Sequence, residues 1–160
     1  PAQHQSQLQQ LEAEAASFDY LQQVHARAPY LLNRALLPLL QAQCATGGAA
    51  DIIQLSDFVA SVGSEKHQAY AASKAALENL TLSLARQLAP AIKVNAIAPA
   101  LLMFNLGDSA EYQQQALAKS LLGVAPGPQE VLSTLWYLLQ SQYITGRVLA
   151  LDGGRQLRLP

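Results

Sequence analysis

Tyr70 and Lys74 stand four residues apart in YAASKAALENL, a stretch otherwise dominated by alanine and leucine. On a helix this spacing puts the phenol and the ammonium on one face. A tyrosine at its ordinary pKa of about 10 is a poor source of phenolate at neutral pH. A neighbouring ammonium favours the ionised form and draws that pKa down. Such a pair can give a proton to an oxygen or nitrogen while hydride reaches the adjacent carbon, and the long lysine can also hold hydroxyls of a ribose. Alone the pair is a weak signal: it arises by chance in roughly a quarter of chains this long, and the plain alternative for Lys74 is a solvated helix face.

What gives the pair weight is the set of elements around it. The helix carrying it is expected to start near Ala69 or Tyr70, run through Leu77, Leu80, Leu84 and Leu88, and stop at Pro90. DIIQLSD reads as a buried strand over Ile52–Leu55, IKVNAIAP as a second over Ile92–Pro99, and VLALDGG opens with a third at Val148. Two more helices are expected near 110–122 and 128–140, the latter with Pro128 and Glu130 suited to its first turn. Before the first strand, LQQVHARAPYLLNRALLPLLQAQ repeats its leucines at helical spacing, with Pro29 and Pro38 expected to kink or divide it. Residues 1–18 are polar and Gln/Ala-rich, expected as a loose, variable segment with partial helix.

Strands alternating with helices predict an α/β fold with a parallel sheet. In open sheets of this kind, ligands collect beyond the carboxyl ends of the strands. Asp57, with Ser56 beside it, lies just past one such end, thirteen residues before Tyr70. A turn-capping aspartate is the alternative there. Pro99 follows another strand end, and Ala100, Leu101 and Leu102 after it predict an apolar wall with free backbone polar groups, suited to an amide-bearing aromatic ring. An ordinary strand-ending proline is the alternative.

Three strands make a thin sheet, and the order matches the second half of a Rossmann-like doubly wound fold. No G-x-G-x-x-G turn occurs before the first strand, and Gly47-Gly48 precedes a strand instead of opening a helix. The expectation is therefore that residues 19–160 form the C-terminal part of one nucleotide-binding domain, with its glycine-rich N-terminal half missing from this chain.

Composition narrows the partners. The 160 residues are 51% hydrophobic and 13% charged, with a formal net charge of -1. No basic stripe exists to displace counterions from a nucleic acid backbone. The apolar runs are too short to span a membrane, and the glutamine-rich start lacks a signal-peptide pattern. The single Cys44 permits no internal disulfide and fits a reducing, cytoplasmic setting. Three scattered histidines give no ligand spacing, so no metal is expected; His25 reads as a packing or surface residue and His67 as a loop residue. Trp136 and Tyr137 read as core or interface fillers.

Together, YAASKAAL, LAPAIKVNAIAP and YITGRVLALDGG, in this order and spacing, resemble the C-terminal half of the short-chain dehydrogenase/reductase family, over roughly residues 19–157. The resemblance implies that Tyr70 is the catalytic acid/base, that Lys74 lowers its pKa and binds the nicotinamide ribose, and that the backbone from Pro99 through Ala100, Leu101 and Leu102 faces the nicotinamide carboxamide. Most members carry serine where this chain has Asp57, with Ser56 one position off. An aspartate there resembles the pteridine reductase branch, as do DIIQLSDFV, GSEKHQAYAASKAALENLT, NAIAPALLMFN and AEYQQQALAKSLL. That branch implies reduction of a dihydropterin, of the dihydromonapterin or dihydrofolate type, to the tetrahydropterin with NADPH.

A carboxylate can accept hydrogen bonds from pterin donors or hold the tyrosine hydroxyl in place. It also makes the phenol harder to ionise, which fits a retained proton donor. Arg27 stands where the family often has asparagine, and is left out of the site. The family's Pro-Gly is Pro99-Ala100 here, and alanine disfavours a positive φ. By resemblance, the helices at 21–43 and 70–89 pair across a homo-oligomer axis, dimer or tetramer. The alternatives are a reductase of another carbonyl or imine, and a non-catalytic scaffold of the same fold.

Overall fold

A computed structural model describes residues 2–158, with side chains from Gln5 onward. Helix α1, Ala2–Gln22, runs through five π-helical residues, Gln23–Arg27, into α2, Ala28–Ala45. The segment expected to be loose is thus helical from Ala2 and crosses residue 18 without a break; Pro1 lies outside the described residues. Its glutamines, glutamates and alanines are strong helix formers, which suffices without an apolar stripe.

Pro29 explains the π-helical widening. Its ring would crowd the carbonyl of His25, four residues back, and it has no N–H to offer that carbonyl. The helix loosens there, with the Ala28 amide donating to Gln23 instead. Pro38 lies inside α2 and does not divide it.

Strand β1, Ala50–Leu55, is followed by a short α3, Val59–Val62, inside the segment expected as loop, and then by α4, Gln68–Leu88. Strand β2 spans Ile92–Pro99, as its β-branched pattern predicts. Helix α5, Ala110–Leu117, is shorter than expected because the chain turns at 118–122, where Leu122 donates to the Gly153 carbonyl. Helix α6, Gln129–Gln140, and strand β3, Val148–Leu151, complete the order, followed by a single 3-10 turn at Arg155–Arg158. The sheet is parallel in the order β1-β2-β3, with Ile52 opposite Val94 and Ala98 opposite Ala150.

Alternation along β2 distributes its neighbours. Val94 and Ile92 pack with Ile52 and with Leu84, Ala85 and Leu88 of α4, and Leu37, Leu40 and Cys44 of α2 border this core. Cys44 is therefore a packing residue. Lys93 faces the other way, pairs with Asp51 at 3.0 Å, and donates to the Leu138 carbonyl at 2.9 Å. A cation there suits the negative end of α6. Trp136 and Tyr137, by contrast, are exposed in this chain and do not fill its core.

Asn95 is fully buried and ties β2 to the YITGR segment. Its amide donates to Ile144 O at 2.9 Å and accepts from Arg147 N at 3.0 Å. Gly146 turns the loop at φ 67° and donates to Val94 O. Asn95→Ala removes the partner of the part-buried Ile144 carbonyl and Arg147 amide together, so it should lower stability by about 2 kcal/mol, measurable by urea unfolding of the full-length protein.

Candidate active site

Three consecutive residues at the end of β1 are each tied to a different turn of α4. Lys74 Nζ donates to the Leu55 carbonyl at 3.0 Å. Ser56 Oγ donates to Glu78 Oε1 at 2.7 Å. Tyr70 Oη donates to Asp57 Oδ2 at 2.9 Å. Positions 70, 74 and 78 share one helix face at successive turns, so a single strand end engages all three. The small residues Ala71 and Ser73, both buried, are among those lining the helix beside it.

Asp57 is held from both sides. Its other oxygen, Oδ1, accepts from Val59 N at 2.9 Å and so starts the α3 turn. It is thus both the turn-capping aspartate and a partner of Tyr70. A carboxylate can only accept, so the phenol hydrogen points at Asp57 and the phenol lone pairs face elsewhere.

The electrostatics differ from the expectation for Tyr70. Its pKa is pushed up to about 12, first by burial and then by the hydrogen bond and negative charge of Asp57. Lys74 does not reverse this: its ammonium lies 5.8 Å from the ring centroid and is bound to Leu55 O. Burial also lowers the pKa of Lys74 itself, against an upward pull from Asp57. The phenol therefore remains protonated near neutrality. Lys74 has three donors and gives one to Leu55, which leaves two for hydroxyls of a ligand.

Ser56 is 3% exposed with its hydroxyl turned to Glu78, so it meets α4 and offers no free donor to a ligand. The segment after β2 is also less open than expected. Pro99 O accepts from Phe58 N, Ala100 N donates to Leu151 O, and Leu102 O accepts from Gly127 N. The Ala100 carbonyl, both polar groups of Leu101 and the Leu102 amide make no such bond among the described residues. Ala100 keeps a negative φ. Ala100 and Leu101 border a cavity of about 360 Å³ that is also lined by Leu122, Val124, Asp152 and Arg155.

Arg27 is exposed at the end of the π-helical segment. Two residues earlier, His25 reaches the site: its ring stands edge-on to Tyr70, centroids 5.2 Å apart and planes at 87°. Sequence periodicity missed His25 because the π-helical turn shifts the phase of every residue after Gln22. Its one signal was a proline four positions downstream. His67 precedes α4, its amide donating to Ser64 Oγ. Among the described residues no group of three or more histidines, cysteines or carboxylates could hold a metal ion, and no helix is long and apolar enough to cross a membrane.

The family described as enoyl-(acyl carrier protein) reductase matches residues 2–156, which takes in residues 2–18 of the polar opening segment. Dihydromonapterin reductases of Klebsiella pneumoniae subsp. pneumoniae and Citrobacter koseri are each 56% identical over 138 residues, covering 86% of this chain and 57% of theirs. The chain thus spans a little over half the length of these relatives. A protein from Burkholderia xenovorans assigned to the short-chain dehydrogenases/reductases superposes with a TM-score of 0.78 at 33% identity, over 88% of this chain and 55% of its own. An apo SCOR enzyme from Clostridium thermocellum gives 0.74 at 30% identity, over 89% and 55%. The chain belongs to the short-chain dehydrogenase/reductase family, where it is closely related to the bacterial dihydromonapterin reductases.

Proposed function

We propose that this chain is the catalytic half of an NADPH-dependent reductase that converts a dihydropterin, of the dihydromonapterin or dihydrofolate type, to the tetrahydropterin. The observation that carries the reading is the 2.9 Å hydrogen bond from Tyr70 to Asp57, an aspartate where a carbonyl reductase of this family would have serine. The donors left on Lys74 and the unbonded backbone of Leu101 fit a nicotinamide nucleoside, which needs a cation at its ribose and a polar edge at its carboxamide. When bound, NADPH supplies hydride to the pterin ring.

The residues of this chain handle the proton. Tyr70 holds it on Oη, pointed at Asp57, and releases it outward when the hydroxyl rotates toward a ring nitrogen or a bridging water. Leaving a charged acceptor costs about 1.5–3 kcal/mol, which a new acceptor offsets. Asp57 keeps one lone pair on each oxygen for pterin N–H donors after serving Val59 and Tyr70. Lys74 holds the ribose and neutralises part of the Asp57 charge.

Two features support a further half of the domain beside β1. That strand pairs only with β2 among the described residues, so its outer edge is free to take another strand. Next to it, Gln54 Nε2 and Asn33 Nδ2 are buried without a partner among the described residues, beside the apolar side chains of Val24, Leu31 and Leu32. A strand and glycine-rich turn there would complete one nucleotide-binding domain. Exposed Leu31, Leu32, Leu36 and Leu39 on α2 support pairing of copies into a homo-oligomer. We place the enzyme in the cytoplasm.

The test is turnover by the full-length protein. NADPH oxidation should depend on added dihydropterin and exceed that with a simple diketone. The 160-residue chain alone should bind no NADPH by calorimetry. Turnover with diketones and none with dihydropterins would favour the carbonyl reductase alternative. No turnover with any substrate, in a protein that folds, would favour the scaffold.

A further inference from the structure

His25 touches Tyr70 by two routes. Directly, its ring packs edge-on against the phenol ring at 5.2 Å. Indirectly, its Nδ1 lies 3.0 Å from Ser73 Oγ, which in turn lies 2.7 Å from the Tyr70 carbonyl oxygen. Ser73 is fully buried on α4, one turn after Tyr70.

Donor bookkeeping fixes the hydrogens in this chain of contacts. Two oxygens at 2.7 Å need a hydrogen between them, and a carbonyl has none, so the Ser73 proton goes to Tyr70 O. The contact from His25 to Ser73 must then be Nδ1–H donating to an Oγ lone pair. This leaves the neutral imidazole with a bare Nε2. Burial and the nearby positive charge of Lys74 both lower the pKa of His25, which keeps the ring neutral at pH 7. A second cation here would face Lys74 across the ring whose proton Tyr70 must keep.

We propose that His25 is a positioning residue for Tyr70, fixing the rotation of the phenol ring by direct contact and the height of its backbone through Ser73. The proposal rests on the reading of Tyr70 as proton donor. It assigns the π-helical segment a purpose: the extra residue in that turn sets the angle at which His25 meets α4. Arg27, at the position where an asparagine was expected, takes no part.

The experiment separates ring from hydrogen bond in the full-length protein. His25→Phe keeps an aromatic ring and loses the donor. His25→Asn keeps a donor near the place of Nδ1 and loses the ring. His25→Ala loses both, and Ser73→Ala breaks the relay alone. His25→Ala should lower kcat by about tenfold to a hundredfold, the scale expected when a reacting group is misplaced by an ångström or less. KM for pterin and affinity for NADPH should stay within about twofold. His25→Phe and Ser73→Ala should each give a smaller loss, and their double variant should fall short of the product of the two, as for residues acting through one contact.

A second readout does not depend on turnover. Opening the site with His25→Ala should move the Tyr70 titration down from about 12 toward 10, because burial is the main cause of its elevation. His25→Phe should leave it in place. If no pterin is reduced by the parent protein, the reading of function fails while this titration still tests the contact. Wild-type kcat in His25→Ala, or a loss matched by the unfolded fraction with the Tyr70 titration unmoved, would overturn the proposal.

Discussion

Replacing Tyr70 with phenylalanine is expected to lower kcat by about a thousandfold, the usual worth of a positioned general acid, while NADPH affinity changes less than about threefold. The ring of Tyr70 packs against His25 and lies under Lys74, and phenylalanine preserves those contacts. Only the hydroxyl is lost. Asp57 then loses its phenol donor, but the residue is only half-buried and its Oδ1 keeps the Val59 amide, so the fold should tolerate the change. The ribose contact belongs to Lys74 through donors that the substitution does not touch. Full turnover in Tyr70→Phe would remove Tyr70 from the mechanism, and an equal loss of NADPH affinity would make it a binding residue instead.

Asp57→Ser is expected to lower kcat/KM for a dihydropterin by about tenfold to a hundredfold, the equivalent of one charge-assisted hydrogen bond of 1.5–3 kcal/mol. A serine hydroxyl can still cap the α3 turn by accepting from Val59, and can still accept from the phenol. What it cannot supply is the negative charge and the second acceptor oxygen that a carboxylate offers to pterin N–H groups. Reduction of a simple diketone, whose oxygen needs a donor, should change little or improve. Equal losses on both substrates would undermine the pterin assignment. The same variant removes the negative charge of Asp57, one of the causes that raise the Tyr70 pKa, and leaves burial, the largest of them, in place.

Much of this site was legible in the sequence because it is built on regular elements. The β-branched run Ile92–Pro99 and the leucine spacing of α4 carry strong periods, and both elements fall where those periods predict. Asp57 and Tyr70 meet because the connection from β1, through the short α3, returns the start of α4 to the strand end. What was hidden follows from features without a period. Helix α1 is polar nearly all round, so it offered composition but no stripe. The phase shift before Pro29 moved His25 into the site and Arg27 out of it. Backbone pairing is invisible in side-chain identity, which is why Ala100 and Leu102 looked free and are in part bonded. The sign of the Tyr70 shift depended on which partner came closer. Spacing alone placed Lys74 and Asp57 at comparable range, whereas the hydroxyl bonds Asp57 and the ammonium bonds Leu55.

The role proposed for Tyr70 is that of a neutral phenol held by Asp57, a proton donor and not a standing phenolate. Ultraviolet difference titration of the full-length protein, with Tyr70→Phe subtracted, reads that phenol by itself. Tyr70 is expected to show no ionisation through neutral and mildly alkaline pH, with a midpoint at about 12. A midpoint near 7 or 8 would contradict it, and would show that Lys74 dominates Asp57 at the phenol.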